Sequence, residues 1–333
     1  YGKETGRDEI FQKGLEMAKF WFSDEQLVEY GLPRSWWIQT KKIDGYHNEY
    51  IGDFWTYPSF TRCFTDGMEG LLDCVRIAEA YNLPQAKEWG SIVKKFGEFI
   101  LSAETAGDGS FYRAYQKDGL YLRDVNAIGP WEDEQKKIQA NAKTNTLIPV
   151  RLLIRLWEWS GDNRYLERAK KAGEFGYNKY FKELGTFIGG TPDNANVVDK
   201  EAGVYAMYAF TALYQATGDK KWLTAAEYAA IFAFSYTYCY DFAIQGSDKA
   251  NIFRNGGFTG YSLISAGAKG TDNFNANIYY ELFKLSVLTE DDFYAKAAKQ
   301  LERNTKQPMD LNGEKGYAYK ALLLEATTLC DLT

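Results

Sequence analysis

The sequence predicts an all-α fold in which helical hairpins stack side by side and close into a toroid. Three observations carry that expectation. The first is an internal repeat: LWEWSGDNRYLERAKKAGEF from 156, LYQATGDKKWLTAAEYAAIF from 213 and LSVLTEDDFYAKAAKQLERN from 285 each read helix, tight acidic turn, aromatic, helix. A weaker fourth copy, IAEAYNLPQAKEWGSIVKKFGEF, starts at 77. The second is that one hairpin cannot bury both its apolar faces alone, so neighbours must stack. The third is spacing. Units of 34 or so residues would give an open solenoid. Here the copies start 57 and then 72 residues apart, and the extra length always precedes the first helix of a pair, which gathers long loops at one mouth.

Taken in order, Ile10 to Phe22 reads as a helix and Glu29 to Ser59 as an irregular stretch dense in rings. Helices follow from Asp66 to Tyr81 and from Pro84 to Leu101. Gly107 to Pro130 is loop or short strand. Asn141 to Ser160 and Arg164 to Phe181 form the next pair. The segment Ile188 to Asp219 organises the rest: a Gly/Pro/Asn/Asp loop, an acidic helix start at Asp199-Lys200-Glu201, then a helix with Tyr205, Tyr208, Ala209, Ala212, Leu213 and Ala216 at helical spacing. Phe242 to Gly270 is loop, Thr271 to Leu288 and Asp292 to Asn304 are a further pair, and Lys315 to Cys330 closes the chain.

The chain of 333 residues is long enough for a sizeable core and is expected to be one toroid domain over 1–333, with anything upstream of Tyr1 out of sight. It opens YGKETGRDEIF, as a processed or mid-protein start would. A net charge of −6 with no basic stripe argues against a nucleic-acid partner. No apolar run is long enough for a membrane span, and a periplasmic or secreted setting is favoured. Cys63, Cys74, Cys239 and Cys330 have no metal-type spacing, and one histidine in the whole chain makes zinc chemistry a poor fit. Cys63 and Cys74 would lie about 16 Å apart along one helix, too far to bridge. No phosphate loop, dinucleotide fingerprint or serine elbow occurs. No cofactor or metal is expected. Aromatic residues make up 17% of the chain, and so many Trp and Tyr suit a cleft that stacks sugars.

The repeats, the TGD-x-x-W/Y-L-x-x-A turn and the loop-plus-acid helix starts resemble the six-hairpin glycosidase superfamily, the (α/α)6 toroids. IGGTPDNANVVDKEAG and NGGFTGYSLISAGAKGTDNF are similar to stretches of bacterial carbohydrate-active members, including glycoside hydrolases that process uronic acids. The resemblance implies a carbohydrate substrate and a hydrolase. The alternatives are a polysaccharide lyase acting on uronates and a helical-repeat protein that binds carbohydrate without turnover.

Glycosidic hydrolysis needs two carboxyl groups, one to protonate the leaving oxygen and one to activate water or attack the sugar. The mouth-side acids are Asp66, Asp199, Glu201 and Asp272. Asp199 and Glu201 are two apart and point to opposite sides of a regular helix, so the expected pair joins Glu201 or Asp199 with Asp272 or Asp66. Asp199 and Asp272 also stand where an N-cap would, and Glu201 or Asp66 could simply complement a helix dipole. His47 sits among acids and rings in DGYHNEYIGDFW, as a proton-transfer or ligand residue could. Arg254 and Lys143 are candidate clamps for a substrate carboxylate. Trp36, Trp37, Trp55 and Trp131 are candidate sugar platforms, with Asn273 a further polar contact. Asp162, Asp219 and Asp291 lie in the outer turns and are assigned to structure.

Overall fold

The acidic turns of the repeat join the helices of each hairpin. In the computed structural model, α5 (Val150–Ser160) and α6 (Asn163–Gly176), α7 (Lys200–Thr217) and α8 (Lys220–Phe234), and α9 (Tyr279–Thr289) and α10 (Asp292–Thr305) are packed hairpins. All three turns are built alike. The hydroxyl of Ser160, Thr217 or Thr289 donates to the carbonyl four residues back, at 2.7 Å each time. It accepts from the N–H of Asp162, Asp219 or Asp291, and that aspartate accepts in turn from the N–H two residues on. Between hydroxyl and aspartate sits one left-handed residue: Gly161 (φ 73°), Gly218 (φ 70°) or Glu290 (φ 58°). The three aspartates are thus structural, as expected from their outer-turn positions. Glu290 occupies a conformation that costs an L-residue about 1–2 kcal/mol. Glu290→Gly is therefore expected to stabilise the protein by about 1 kcal/mol, because relief of the strain outweighs glycine's extra unfolded-state entropy; a rise in the thermal midpoint checks it.

The structure describes residues 1–33, 59–116, 118–121, 141–191, 195–241, 259–265, 270–272, 278–305 and 326–328. They divide into two compact units, Tyr1–Gly176 with Pro192–Ala195 and Tyr177–Thr191 with Asn196–Thr333.

In the first unit, α1 (Asp8–Phe22) and α2 (Glu25–Tyr30) precede the hairpin of α3 (Thr61–Ala80) and α4 (Ala86–Ser102). Asp24 caps α2 by accepting from the Leu27 N–H at 3.1 Å, and Gly31 ends it in the left-handed conformation. Phe22 stacks on Trp89 of α4, with ring centroids 4.5 Å apart. The first helices of the two hairpins run parallel. Glu69 of α3 receives Arg151 of α5, and one turn on Asp73 receives Arg155, so both pairs step forward by four residues together. Strands β1 (Ser59–Phe60) and β2 (Ala114–Tyr115) pair antiparallel just before α3. The loop leading to β2 is clamped by Arg168, which stacks on Phe111 at 3.7 Å and donates to the Gly109 carbonyl at 2.5 Å. Burial lowers that guanidinium's pKa to about 10.

In the second unit, β3 (Ser262–Leu263), β4 (Gly270–Asp272) and β5 (Ala326–Thr328) form an antiparallel sheet in that order. The segment after α8 is joined to β3, through Tyr238 N–H to Tyr261 O at 2.7 Å and Leu263 N–H to Tyr236 O at 3.0 Å. A π-helical segment, Tyr177–Leu184, packs its rings against α7 and α8: Tyr177 meets Phe210 and Trp222, and Phe181 meets Tyr228.

Three expected helix starts are corrected. α3 begins at Thr61, five residues before Asp66, because the β1–β2 pair hands the chain straight into it: the Thr61 N–H donates to Arg113 O and its hydroxyl to Tyr112 O. Residues 141–149 are not helical. Successive turns, Thr146 to Lys143, Ile148 to Asn145 and Val150 to Leu147, run up to Pro149, which has no N–H to give and disfavours helix in the residue before it. Residues 270–272 are strand rather than helix, since Gly270, Thr271 and Asp272 pair with Thr328, Thr327 and Ala326. As a result α3 and α7 have 20 and 18 residues, while α5 and α9 have 11 each. Cys63, Cys74 and Cys239 form no disulfide among the described residues; Cys330 lies outside them. No described helix is long and apolar enough to cross a membrane.

Candidate functional site

Three buried charged residues of the second unit stand side by side at the start of α7. That helix is buried along its first fourteen residues, from Lys200 to Leu213, so it has no wet face on which polar side chains could lie. Yet it opens Asp199-Lys200-Glu201, with Asp199 and Lys200 fully buried and Glu201 7% exposed. Each of these residues therefore needs a partner or a task.

Asp199 is the N-cap, with extended backbone at φ −137° and ψ 155°. One carboxylate oxygen accepts from the Ala202 N–H at 2.7 Å, and the other accepts from the Gly190 N–H at 2.8 Å. The loop it holds is itself a small ladder. Ile188 bridges Val198, and the Gly189 N–H donates to Val197 O at 2.8 Å. Tyr236 closes over it, its hydroxyl donating to Val198 O at 3.3 Å; burial, and then the Asp199 charge, raise that phenol's pKa. Asp199→Ala is expected to cost about 3 kcal/mol, because it removes the cap and strands two buried N–H groups at once. Chemical denaturation measures it, and a loss under about 1 kcal/mol would contradict the role.

The same helix start is stitched to β3. Asp199 bridges Ser265, the Lys200 N–H donates to Ile264 O at 2.8 Å, and the Lys200 ammonium donates to the Ser262 hydroxyl at 2.7 Å. Ser262 is fully buried and pairs in register with Asp272 of β4. The structure thus brings the backbone of Asp272 beside the elements that carry Asp199 and Glu201. The Asp272 side chain, and all of His47, Trp36, Trp37, Trp55, Trp131, Arg254 and Asn273, lie outside the described residues.

Two candidates belong to the first unit. Asp66 is in the second turn of α3, not the first; it is exposed and 3.6 Å from Arg62 one turn back. Lys143 is already engaged, 2.5 Å from Asp108 and 5.6 Å from the centre of the Phe175 ring. Burial alone would raise the Asp108 pKa. Hydrogen bonds from Lys143 and from the hydroxyl and N–H of Ser110 outweigh it and hold the carboxyl at about 2, against an ordinary 3.8. The folded state therefore resists protonation where the unfolded chain does not. This stabilisation is present above about pH 3.8 and is lost as pH falls towards 2. Lys143→Met is expected to move the Asp108 pKa up towards 3.8, which an NMR titration of the carboxyl carbon reads directly.

Sequence reasoning missed Lys200 and Ser262. A signal for Lys200 existed: AGVYAMYAF follows Glu201 with no charged residue on any face, so a lysine in the first turn of such a helix is buried with it. Ser262 had none, because its partners come from remote segments. Among the described residues, no three His, Cys, Asp or Glu side chains are grouped to hold a metal ion.

Against solved structures, the chain is similar to D-mannose isomerase, at 11% identity over 82% of this chain and 64% of that one, with a TM-score of 0.51. It is similar to cellobiose 2-epimerase from Bacillus thermoamylovorans B4167, at 11% identity over 81% and 67%, TM-score 0.51. A sugar epimerase from a ruminal bacterium gives 13% identity over 83% and 65%, TM-score 0.52. The likeness shows the fold. Its class is the all-α, (α/α)6 hairpin type that the repeats imply. The chain spans 64% of the length of the D-mannose isomerase. No protein-family model and no curated protein sequence matches it.

Proposed function

We propose that the chain is a carbohydrate-active enzyme that hydrolyses glycosidic bonds, with Glu201 and Asp272 as its two carboxyl groups. The observation that carries this reading is Glu201, a carboxyl group kept almost dry in the first turn of a helix whose start is bonded to the strand pair in which Asp272 stands. A nearly buried carboxyl group at a helix start, with a second acid on the adjoining strand pair, is the setting in which acid–base residues are found. In the reaction, one carboxyl group gives its proton to the leaving oxygen as the glycosidic bond breaks. The other either takes a proton from the attacking water or bonds to the anomeric carbon until water displaces it. Asp199 takes no part, because both its oxygens already accept backbone N–H groups.

A second reading is sugar isomerisation or epimerisation, favoured by the three similar structures, whose names are those of sugar isomerases and epimerases. There a base would remove the proton beside the carbonyl and return one to the neighbouring carbon or to the opposite face.

One experiment separates the readings. The protein is incubated in D2O with a panel of neutral and uronic-acid-containing oligosaccharides and with free mono- and disaccharides. Hydrolysis predicts shorter products with new reducing ends, no absorbance near 230 nm, and deuterium confined to exchangeable positions. Isomerisation predicts products of unchanged length carrying carbon-bound deuterium. Unsaturated products absorbing near 230 nm would mean a lyase, and binding without any product would mean a carbohydrate-binding module. Any of these three results overturns the hydrolase assignment.

A further inference from the structure

We infer that Lys200 is a positioning residue that fixes the helix start bearing Glu201 against the strand pair bearing Asp272. The inference rests on reading those two acids as the catalytic pair. Lys200 is an expensive choice for its place. A cation at a helix N-terminus opposes the helix dipole, and a fully buried ammonium forfeits hydration worth several kcal/mol. A methionine would fill the same space in this apolar helix at lower cost. What the lysine adds is direction. It reaches β3 twice, through its backbone N–H to Ile264 O at 2.8 Å and through its ammonium to the Ser262 hydroxyl at 2.7 Å. Ser262 stands opposite Asp272 in the β3–β4 register. The path from acid to acid is therefore short: Glu201 to its chain neighbour Lys200, one hydrogen bond to Ser262, one register pair to Asp272. With no exposed surface, Lys200 does not itself touch a substrate.

The test compares Lys200→Met and Ser262→Ala, each alone and together, in the full chain, on whichever glycan the wild type cleaves. A shift of about 1 Å between reacting groups costs about 100-fold in rate. Lys200→Met is therefore expected to lower kcat about 100-fold with KM within about three-fold, and Ser262→Ala to lower kcat about ten-fold. The double variant should be no slower than Lys200→Met alone, since both break one link. Circular dichroism confirms that each variant folds; if Lys200→Met does not, Ser262→Ala decides. Folded variants with wild-type kcat, or losses that multiply in the double variant, overturn the proposal. Glu201→Gln is run beside them. If it turns over like the wild type, the acid-pair reading fails. If it is inactive while Ser262→Ala and Lys200→Met are as fast as wild type, only the positioning role fails. A wild type that cleaves nothing removes both.

Discussion

Glu201→Gln is expected to lower kcat about 1,000-fold while the protein stays folded. Glutamine keeps the shape of the side chain and one acceptor oxygen but can neither give up nor take a proton at the same site. General acid or base assistance contributes about 100- to 10,000-fold, and the middle of that range is the loss to look for. A side chain 7% exposed, followed in the chain by Ala202 and Gly203, has little room to be replaced by a neighbour or a water. KM should move little, because the group acts on the reacting bond rather than on the ground-state sugar. The measurement is steady-state hydrolysis with a thermal melt alongside. Retention of more than about a tenth of wild-type kcat would remove Glu201 from the mechanism.

Gly190→Ala is expected to destabilise the protein by about 3 kcal/mol or more. Its backbone is not in a region reserved for glycine, so the argument is one of space. A methyl group there would lie 2.2 Å from the Ala202 nitrogen, 2.6 Å from Asp199 Oδ1 and 2.6 Å from the Glu201 carbonyl carbon. Two of those three atoms are backbone of a buried helix and cannot swing aside. Overpacking in a tight core costs about 1–3 kcal/mol when neighbours can shift; here the shift also breaks the Asp199 cap, so the penalties combine. Denaturant melts check the number, and a change under about 1 kcal/mol would mean the loop relaxes freely. Activity should fall with stability, because Gly190 presses directly on the turn that carries Glu201.

The contrast between these neighbours shows what a sequence discloses. The hairpin turns were legible, because everything that closes them lies within a few residues: a hydroxyl, a left-handed residue, an aspartate. The Asp199 cap was legible for the same reason. The start of α5 could have been read from Pro149. The β4 strand could not, since KGTD looks like a helix cap until Ser262 and Ala326–Thr328 arrive from elsewhere in the chain. Asp66 was misplaced by one turn because the β1–β2 pair, not a capping side chain, sets where α3 begins. Lys200 illustrates the same limit in reverse. Its neighbours announce burial, but only the fold reveals that a serine sixty-two positions away receives its proton-bearing nitrogen.

The hairpin joint built around Ser160, Gly161 and Asp162, and repeated at Thr217 and Thr289, closes its hydrogen bonds within nine consecutive residues, from Leu156 to Arg164 in the first copy. Such a joint travels intact when a gene segment is copied. Duplicated hairpins could then diverge in their helices and in the loops between pairs without having to rediscover how to turn a corner.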